Sequence, residues 1–442
     1  MEAGVGKIGQ VEGEVSPRFA RIGITAACIL ILMAAIRLAS LAVQLPARST
    51  LNDYSIYYVS AHLLLQGKNP YTTDFASVAP SLGLVTRLPG ATDPPTYLLM
   101  LEPLALLTPQ TAYWTWQVLN ALVLAASLWL LLGRRSGLRP DVAIALAASA
   151  LVYPAVINHF YYGQNKVQIL LLLVLAMRFL ESRRDAAAGI ALALAALTRV
   201  FPLLMLGYLV IKRRWRALLF ALGTITGGLI VTGFVIGFGV EAGFFRGFDT
   251  LTSTKVMNYD TNVALGSFVS RLYWTTFGFD AGARIETMRH VTIAAAALGV
   301  IALTCIATLR AAPRRDSDSR IYSLWVASSI LLSPTAWIHY MVMLFIPLAQ
   351  ICSAAAYRRT SRFAIALAAA SYVLLLTGCP WGCVWYSGEF FSAIANYAGI
   401  GNILDGVFRQ TATLSLILGW LAAFVFAIGD DGIKPGHVGA AG

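Results

Sequence analysis

A single carboxylate, Asp53, opens the stretch of this sequence that is best equipped for chemistry. The stretch lies between Leu51 and Tyr71 and directly follows the first long apolar segment. Six residues after Asp53 share the spacing of one helical stripe: Tyr54, Tyr57, Tyr58, Ala61, Leu64 and Leu65. Gly67 is placed to end this helix. The pattern predicts a helix along a membrane interface, with its tyrosines at headgroup depth and Asp53 positioned to act as a base.

The position of Asp53 also fits a purely structural role. Aspartate is favoured at the N-cap or in the first turn of any helix, where it can accept hydrogen bonds from free backbone amides. Position alone does not separate the two roles, so the rest of the chain must decide between them. No second carboxylate lies near Asp53 in the sequence, and a hydrolase that uses two acids is therefore not suggested.

A second residue with chemical potential, Arg199, interrupts an apolar run. The interruption reads Thr198-Arg199-Val-Phe-Pro202, and proline breaks a helix at such a point. A cation within a membrane costs at least roughly 2.5–3.5 kcal/mol on insertion scales, so it normally faces a cavity or a partner. Two roles stay open for Arg199: a structural pair with a carboxylate, or a site for an anion such as a lipid-linked phosphate.

Two amide side chains stand at the start of another apolar run. Gln164 and Asn165 follow Tyr162 and Gly163 and come directly before Lys166. Their amides could bind a sugar or a phosphate, or they could cap the helix that begins at Lys166. The sequence supports both interpretations equally.

A histidine lies where two later apolar runs meet. The segment Ser333-Pro-Thr-Ala-Trp-Ile-His-Tyr340 places His339 beside Trp337 and Tyr340. A lone histidine is usually structural, but an imidazole among aromatic residues also fits contact with a phosphate or a sugar. Asn262, Arg271 and Tyr273 lie on a short helical stretch of a loop and resemble ordinary polar loop residues.

The composition indicates a membrane protein. Of 442 residues, 58% are hydrophobic and only 12% are charged, about half the charged fraction of a soluble domain. The mean hydropathy is +0.70. The net charge of +12 does not suggest nucleic acid, because the positive residues form short clusters between apolar runs, as cytoplasmic loops do. The sequence contains no Walker A motif, no HExxH and no paired CxxC, so ATP-driven transport and structural zinc lack support.

The apolar runs predict an all-α polytopic membrane protein with about ten full spans and one short helical hairpin. The hairpin occupies residues 187–211 and turns at Arg199, which keeps the basic cluster Lys212–Arg216 on the cytoplasmic side. Twenty-one of the 33 lysines and arginines then fall on that side and nine on the other. The full spans are predicted at 22–44, 110–132, 141–159, 165–181, 217–239, 288–310, 321–336, 340–356, 363–378 and 410–428.

This topology gathers the polar groups on the extracytoplasmic face and suggests a single site there. It divides the chain into a disordered cytoplasmic tail (1–20), a catalytic transmembrane module (21–355), C-terminal transmembrane helices (356–428) and a second cytoplasmic tail (429–442).

The first span continues past any plausible cleavage site, which indicates a retained span. Cys379 and Cys383 would face an oxidising compartment and could form a disulfide, or they could remain free thiols.

Taken together, these residues resemble the GT-C superfamily of integral-membrane glycosyltransferases and, within it, glycosyltransferase family 87. The resemblance extends to the polyprenol-phosphate-mannose-dependent α-mannosyltransferases of mycobacterial phosphatidylinositol mannoside synthesis. It covers residues 25 to 355 and rests on the order and spacing of several short motifs: Asp53-Tyr54, Asn69-Pro-Tyr71, Pro94-Pro95, Tyr162-Gly-Gln164, Arg199 with Phe201-Pro202, Asn262 with Arg271, and Ser333 to His339.

The resemblance implies an inverting transfer of a sugar, taken here as mannose, from a polyprenyl-phosphate donor to a lipid or glycan acceptor. It implies that Asp53 is the general base and that His339 helps to bind the donor phosphate, for which Arg199 is a further candidate. The other predicted substrate-binding residues are Tyr57, Tyr162, Gln164, Asn165, Asn262, Arg271, Trp337 and Tyr340. No metal or cofactor is predicted, and the expected partners are the donor, the acceptor and membrane lipids, without nucleic acid.

The sequence departs from the family pattern at three positions. Asp93 stands where a tyrosine usually precedes the Pro-Pro pair, Arg199 where lysine is common, and Tyr340 where a second histidine often follows.

The alternative function is a non-enzymatic transporter or flippase of lipid-linked sugars. A transporter predicts paired repeats with broken helices near the midplane, whereas this sequence shows one hairpin and no clear internal repeat.

Overall fold

Helices carry the entire fold in the part of the chain that the structure describes. The structure is a computed structural model, and it describes residues 17–50, 53–86, 88–133, 138, 140–247, 254–257, 259, 261–278, 282–311, 315–356, 360–378 and 410–429. No β-strand occurs in these ranges, and their one isolated β-bridge joins Asn262 to Trp337. The predicted all-α polytopic class is confirmed. Most of both terminal tails, together with Cys379 and Cys383, lies outside the described residues.

The first half of the chain forms the helices that surround Asp53 and Arg199. The α-helices are α1 (Pro17–Arg48), α2 (Tyr54–Leu65), α3 (Pro95–Met100), α4 (Glu102–Ala105), α5 (Pro109–Leu132), α6 (Pro140–Val152), α7 (Pro154–Tyr162), α8 (Lys166–Glu181), α9 (Asp185–Thr198) and α10 (Met205–Ile211). Short 3₁₀ turns occupy Phe75–Ser77, Ala79–Leu82 and Phe201–Leu204.

The second half adds a π-helical segment, Gly233–Gly237, and a 3₁₀ segment, Ile338–Leu344. Its α-helices are α11 (Trp215–Thr232), α12 (Phe238–Arg246), α13 (Thr254–Met257), α14 (Leu265–Phe277), α15 (Gly282–Arg310), α16 (Arg315–Leu331), α17 (Phe345–Ala356), α18 (Arg362–Gly378) and α19 (Thr411–Ile428).

Several helices are long and apolar enough to cross a membrane. Six stretches meet both conditions by length and composition among the described residues: Cys28–Arg48, Pro109–Leu132, Trp215–Arg246, Gly282–Arg310, Ile338–Ala355 and Thr411–Ile428. The number rises to seven if α6 and α7 are one span bent by 48°. This bend lies at Tyr153-Pro154, because proline cannot continue the hydrogen bonding of α6. The predicted count of about ten spans stays a prediction.

The stretch Ile338–Ala355 lies at the centre of the bundle. Within it, 72% of the most apolar window is buried inside the protein, against 17% for Cys28–Arg48 and 17% for Trp215–Arg246. Helices α8 and α16 pack against the central stretch. The outer helices leave large apolar side chains exposed, as lipid-facing helices do: Leu32, Val43, Leu219, Phe234 and Leu298 are examples.

The predicted break at Arg199 is confirmed. Helix α9 ends at Thr198, and Arg199 itself has an extended backbone with φ −154° and ψ 143°. Beyond the break, the chain returns toward the start of α9, because Arg214 Nη1 lies 3.3 Å from Asp185 Oδ1. The two ends of this segment therefore lie together, as the hairpin prediction requires.

The predicted helix after Asp53 is present, and it is packed inside the protein on both of its faces. Helix α2 spans Tyr54–Leu65, and ten of its twelve residues are buried. Tyr54 packs against Tyr113 and Trp116 of α5, with ring centroids 5.7 and 6.0 Å apart. The tyrosine stripe was correctly identified as one face, but the opposite face is buried too, and Asp53 therefore lies at the edge of the protein interior.

Candidate active site

Asp53 occupies the N-cap position of α2 without capping the helix. Its side chain makes no capping hydrogen bond to the backbone of α2. Instead, Asp53 Oδ2 accepts a hydrogen bond of 2.6 Å from Gln164 Nε2, and the Asp53 backbone N–H donates to Tyr162 O at 3.1 Å. The carboxylate is half-buried. The structural role considered for Asp53, that of a helix cap, is therefore not the role its side chain has.

Gln164 connects Asp53 to two further groups. Its Oε1 accepts hydrogen bonds from the Tyr57 hydroxyl and from Lys166 Nζ, each at 3.0 Å. The turn that presents it depends on Gly163, which has a left-handed backbone (φ 63°) that favours glycine. Trp116 Nε1 donates to the Gly163 carbonyl at 2.8 Å and fixes this turn.

The second amide, Asn165, reaches a second carboxylate. It stands at the N-cap position of α8 but makes no side-chain capping bond, so the capping interpretation fails for it as well. Asn165 Nδ2 lies 3.4 Å from Asp93 Oδ1, and Asn165 Oδ1 accepts from Lys166 Nζ. The two amides that the sequence places side by side thus diverge toward Asp53 and Asp93.

Arg199 forms an ion pair with Asp93. The Arg199 Nε atom lies 3.1 Å from Asp93 Oδ1, although the N–H is not aligned for a hydrogen bond. Arg199 Nη1 donates to the Thr92 carbonyl at 3.3 Å. The Asp93 side chain is 1% exposed and that of Arg199 is 14% exposed, so both members of the pair lie largely inside the protein. The pair with a carboxylate that the sequence left open for Arg199 is therefore present, and its partner is far away in sequence. The role of Arg199 as an anion site stays a prediction.

His339 has one satisfied ring nitrogen and one unsatisfied one. Its Nδ1 lies 2.9 Å from Asn158 Oδ1, whereas the buried Nε2 has no hydrogen-bond partner among the described residues. Neither ring nitrogen of the neighbouring buried His159 has a partner there either. A buried polar atom without a partner is destabilising unless it meets a ligand or water, so His339 Nε2 is a candidate for ligand contact.

Tyr340 and Trp337 flank His339 in different surroundings. The Tyr340 ring lies under the Lys166 ammonium, with Nζ 4.7 Å from its centroid, and it contacts Phe201 beside Arg199. Trp337 is partly exposed, and its ring lies 5.9 Å from that of Tyr259. Tyr340 is therefore part of the Lys166 and Arg199 surroundings, while Trp337 lies toward the loop.

The polar groups of Asn262 and Arg271 are occupied by other parts of the protein. Asn262 Oδ1 accepts from the backbone of Ala264 and Ala336 at 3.2 and 3.1 Å. Arg271 Nη1 donates to the carbonyls of Tyr259 and Asn262, and its other nitrogens contact Gln410 and Thr413, as described below. Asn262 fixes the loop against the segment that leads to His339.

Two tyrosines beside Asp93 are held in the protonated form. Burial and the nearby Asp93 charge raise the pKa of Tyr57 well above its usual value, and the same two causes act on Tyr97. Tyr57 is therefore a reliable donor to Gln164, and the Tyr97 hydroxyl donates to Gln168 Oε1 at 3.2 Å.

The structure thus brings most of the predicted residues into one cluster. Asp53, Tyr57, Gln164, Asn165 and Tyr340 are connected through contacts with one another or with Lys166, and Arg199 joins them through Asp93. Sequence reasoning missed the roles of Lys166 and Asp93. Two signals for these roles were present in the sequence. Lys166 is a lysine at the start of an apolar run, and Asp93 is an aspartate where the family usually has a tyrosine.

Comparison with known proteins identifies the family of the chain. The model of glycosyltransferase family 87 matches residues 92–334, more than half of the chain, and includes Asp93, Gln164 and Arg199. A search of curated proteins finds no match. The family match favours the enzyme over the transporter that the sequence left as an alternative. The chain belongs to glycosyltransferase family 87 and is a multi-pass membrane glycosyltransferase.

Proposed function

We propose that this enzyme transfers mannose from a polyprenyl-phosphate donor to a lipid or glycan acceptor, with inversion at the anomeric carbon. The reaction takes place at the extracytoplasmic face of the plasma membrane, where it contributes to glycolipid or cell-envelope synthesis. Asp53 is the general base. The transmembrane module of residues 21–355 carries the reaction, and the helices of 356–428 complete the bundle.

The observation that carries this proposal is the environment of the Asp53 carboxylate. It is half-buried and does not cap its own helix, and the Gln164 amide holds one of its oxygens. A carboxylate that capped the helix would bond to the backbone of α2, and the Asp53 side chain does not. A side chain that accepts a proton needs a fixed orientation and access to the substrate, which this arrangement supplies.

The chemistry requires one bond to form and one to break. The acceptor hydroxyl gives its proton to Asp53 while its oxygen attacks the anomeric carbon of the donor sugar. The bond between that carbon and the phosphate oxygen breaks, and the electron pair leaves with the polyprenyl phosphate. Cationic or hydrogen-bonding groups near that oxygen stabilise the charge that develops on it.

Arg199 and His339 are the proposed ligands of the donor phosphate. The cationic Arg199 side chain in the cluster and the unpartnered Nε2 of His339 both support this assignment. The remaining proposed contacts divide by their surroundings. Tyr57, Gln164, Asn165 and Tyr340 are buried members of the cluster, and Tyr162 and Trp337 are partly exposed. Asn262 and Arg271 act on substrate only through the loop that they hold.

The test is turnover by the Asp53→Asn variant. Purified protein in nanodiscs receives polyprenyl-phosphate mannose and a membrane lipid extract, and mass spectrometry and NMR follow the product and its anomeric configuration. We expect Asp53→Asn to lower turnover by at least about 100-fold, the lower range for loss of a general base, with unchanged thermal stability.

Asp74→Asn is the matched control, because Asp74 is an exposed aspartate of the same loop that caps a 3₁₀ turn. It should retain wild-type turnover. Near-normal turnover of Asp53→Asn would remove Asp53 from the mechanism, and a product that keeps the donor's anomeric configuration would exclude inversion.

A further inference from the structure

Lys166 is a buried cation whose hydrogen-bonding partners are neutral groups. Its residue is fully buried, with 0% exposed. The ammonium donates to Gln164 Oε1 at 3.0 Å and to Asn165 Oδ1, and it lies 4.7 Å from the centroid of the Tyr340 ring. A buried ammonium is costly unless hydrogen bonds satisfy it and opposite charges lie near. Two amide oxygens and an aromatic face supply the first condition.

The opposite charges, two carboxylates, lie on the far side of the two amides. Each amide that accepts from Lys166 contacts a carboxylate through its nitrogen: Gln164 Nε2 reaches Asp53 Oδ2 at 2.6 Å, and Asn165 Nδ2 reaches Asp93 Oδ1 at 3.4 Å. Asp93 in turn pairs with Arg199. The cluster therefore contains two acidic and two basic side chains, Asp53 and Asp93 with Lys166 and Arg199.

The lysine also determines the orientation of both amides. An ammonium has only donors, so the face that each amide turns toward Lys166 must be its oxygen. The nitrogen of each amide then points in the opposite direction, toward a carboxylate. Without Lys166, the Gln164 oxygen would keep only the Tyr57 hydroxyl as a donor, and the Asn165 oxygen would lose the donor that Lys166 supplies.

We infer that Lys166 is a positioning residue that orients the base Asp53 through Gln164 and the Asp93–Arg199 pair through Asn165. The inference rests on the proposed function, since it takes Asp53 as the base and Arg199 as a donor ligand. It assigns Gln164 to the orientation of Asp53 and not to the binding of substrate. One buried charge thereby links the acceptor side of the site to the donor side.

The experiment compares kcat with KM in the full-length protein in nanodiscs, with polyprenyl-phosphate mannose and a membrane lipid extract as substrates. Lys166→Met removes the charge and both donors at similar length. We expect kcat to fall at least tenfold while the KM values for donor and acceptor change less than threefold. Tyr322→Phe is the control, because it removes another buried hydrogen bond, to Leu173 O at 2.8 Å, away from the cluster.

A second variant keeps the test decisive if Lys166→Met does not fold. Gln164→Glu gives Lys166 an ionic partner and keeps the side-chain shape, but it presents an oxygen to Asp53. We expect kcat to fall at least tenfold with unchanged KM. A rise in KM at unchanged kcat in Gln164→Glu would overturn the inference, since it would assign Gln164 to substrate binding. A wild-type kcat in a folded Lys166→Met protein would overturn it too.

The combination with Asp53→Asn separates this inference from the proposed function. If Lys166 acts through Asp53, Lys166→Met should lower the residual rate of Asp53→Asn by less than threefold, because residues that act as a unit are not additive. If Lys166→Met lowers the rate of Asp53→Asn by as large a factor as it lowers the wild-type rate, Lys166 does not act by orienting Asp53. Normal turnover of Asp53→Asn itself would instead refute the base and, with it, the proposed function.

Discussion

At the scale of single residues, Arg199 has two roles that the structure allows to be separated. Its guanidinium neutralises Asp93, which is almost fully buried, and it is also the proposed ligand of the donor phosphate. Removal of one member of a buried pair leaves the other uncompensated and typically costs about 3–5 kcal/mol. A single substitution of Arg199 would therefore combine a loss of stability with any loss of donor binding.

A double substitution separates the loss of stability from the loss of donor binding. Arg199→Gln should lower the thermal stability sharply, and Arg199→Gln with Asp93→Asn should restore most of it, because no buried charge then remains unpaired. Donor affinity should stay reduced by about ten- to a hundredfold in the double variant, since a contact with a charged group is worth roughly 1.5–3 kcal/mol. Thermal unfolding and titration with polyprenyl-phosphate mannose measure the two effects.

Asp93→Asn alone is the matched control, since it keeps Arg199 and should retain most of the donor affinity. If the double variant binds donor as tightly as the wild type, Arg199 is only the partner of Asp93 and the phosphate lies elsewhere.

At the scale of elements, helix α9 of the hairpin approaches α11, the helix that follows the hairpin, very closely. A Cβ atom at Gly189 would lie 2.0 Å from the Ala217 carbonyl oxygen and 3.0 Å from the Ala221 nitrogen. Ala217 and Ala221 are themselves fully buried. Small residues on facing helices permit this backbone contact, which replaces hydrophobic burial as the driving force inside a membrane.

Gly189→Ala should therefore separate the two helices and lower the thermal stability, with a cost of about 1–3 kcal/mol for overpacking. Gly223→Ala on α11 is the matched control, because a Cβ there meets no atom within 4 Å. It should be neutral or slightly stabilising, since alanine favours the helix. Thermal unfolding in nanodiscs compares the two, and equal unfolding temperatures would contradict the close contact.

The hairpin also predicts which side of the membrane each loop faces. In a background without native cysteines, Lys68→Cys should react with an impermeant thiol reagent in intact cells, since Lys68 is exposed just after α2. Arg216→Cys, exposed at the start of α11, should react only after permeabilisation. Labelling of position 216 from outside would refute the predicted orientation.

At the scale of the whole molecule, Arg271 ties helix α14 to the C-terminal helix α19. Its Nε and Nη2 contact Gln410 Oε1 at 3.3 and 3.2 Å, and Nη2 also contacts Thr413. The side chain is buried, and the acceptors that it serves would lose their partner together. The C-terminal helices, which the family match does not reach, are thus joined to the module that it covers.

We expect Arg271→Met to destabilise the enzyme by about 3 kcal/mol or more, because each buried acceptor left without a donor costs about 1–3 kcal/mol. The KM values of the folded fraction should stay near those of the wild type. Arg284→Met, which changes an exposed arginine of α15, should alter neither quantity. A raised KM with unchanged stability in Arg271→Met would instead support direct substrate binding.

The sequence by itself determined what depends on local patterns. Apolar runs determined the all-α membrane class, the proline after Arg199 determined the break in the hairpin, and the stripe after Asp53 predicted α2 with its end near Gly67. The order of short motifs determined the family. Each of these rests on hydrogen bonding or periodicity within a few residues, which neighbours in the sequence control directly.

Only the tertiary structure decided which side chains meet. Asp93 and Arg199, Gln164 and Asp53, and Arg271 and Gln410 are far apart in sequence, and no local pattern encodes these pairs. The burial of α2 also depended on the fold. Inside a membrane both the lipid-facing and the protein-facing surfaces are apolar, so an apolar pattern does not distinguish an outer helix from a central one. Packing alone placed Lys166 between two carboxylates.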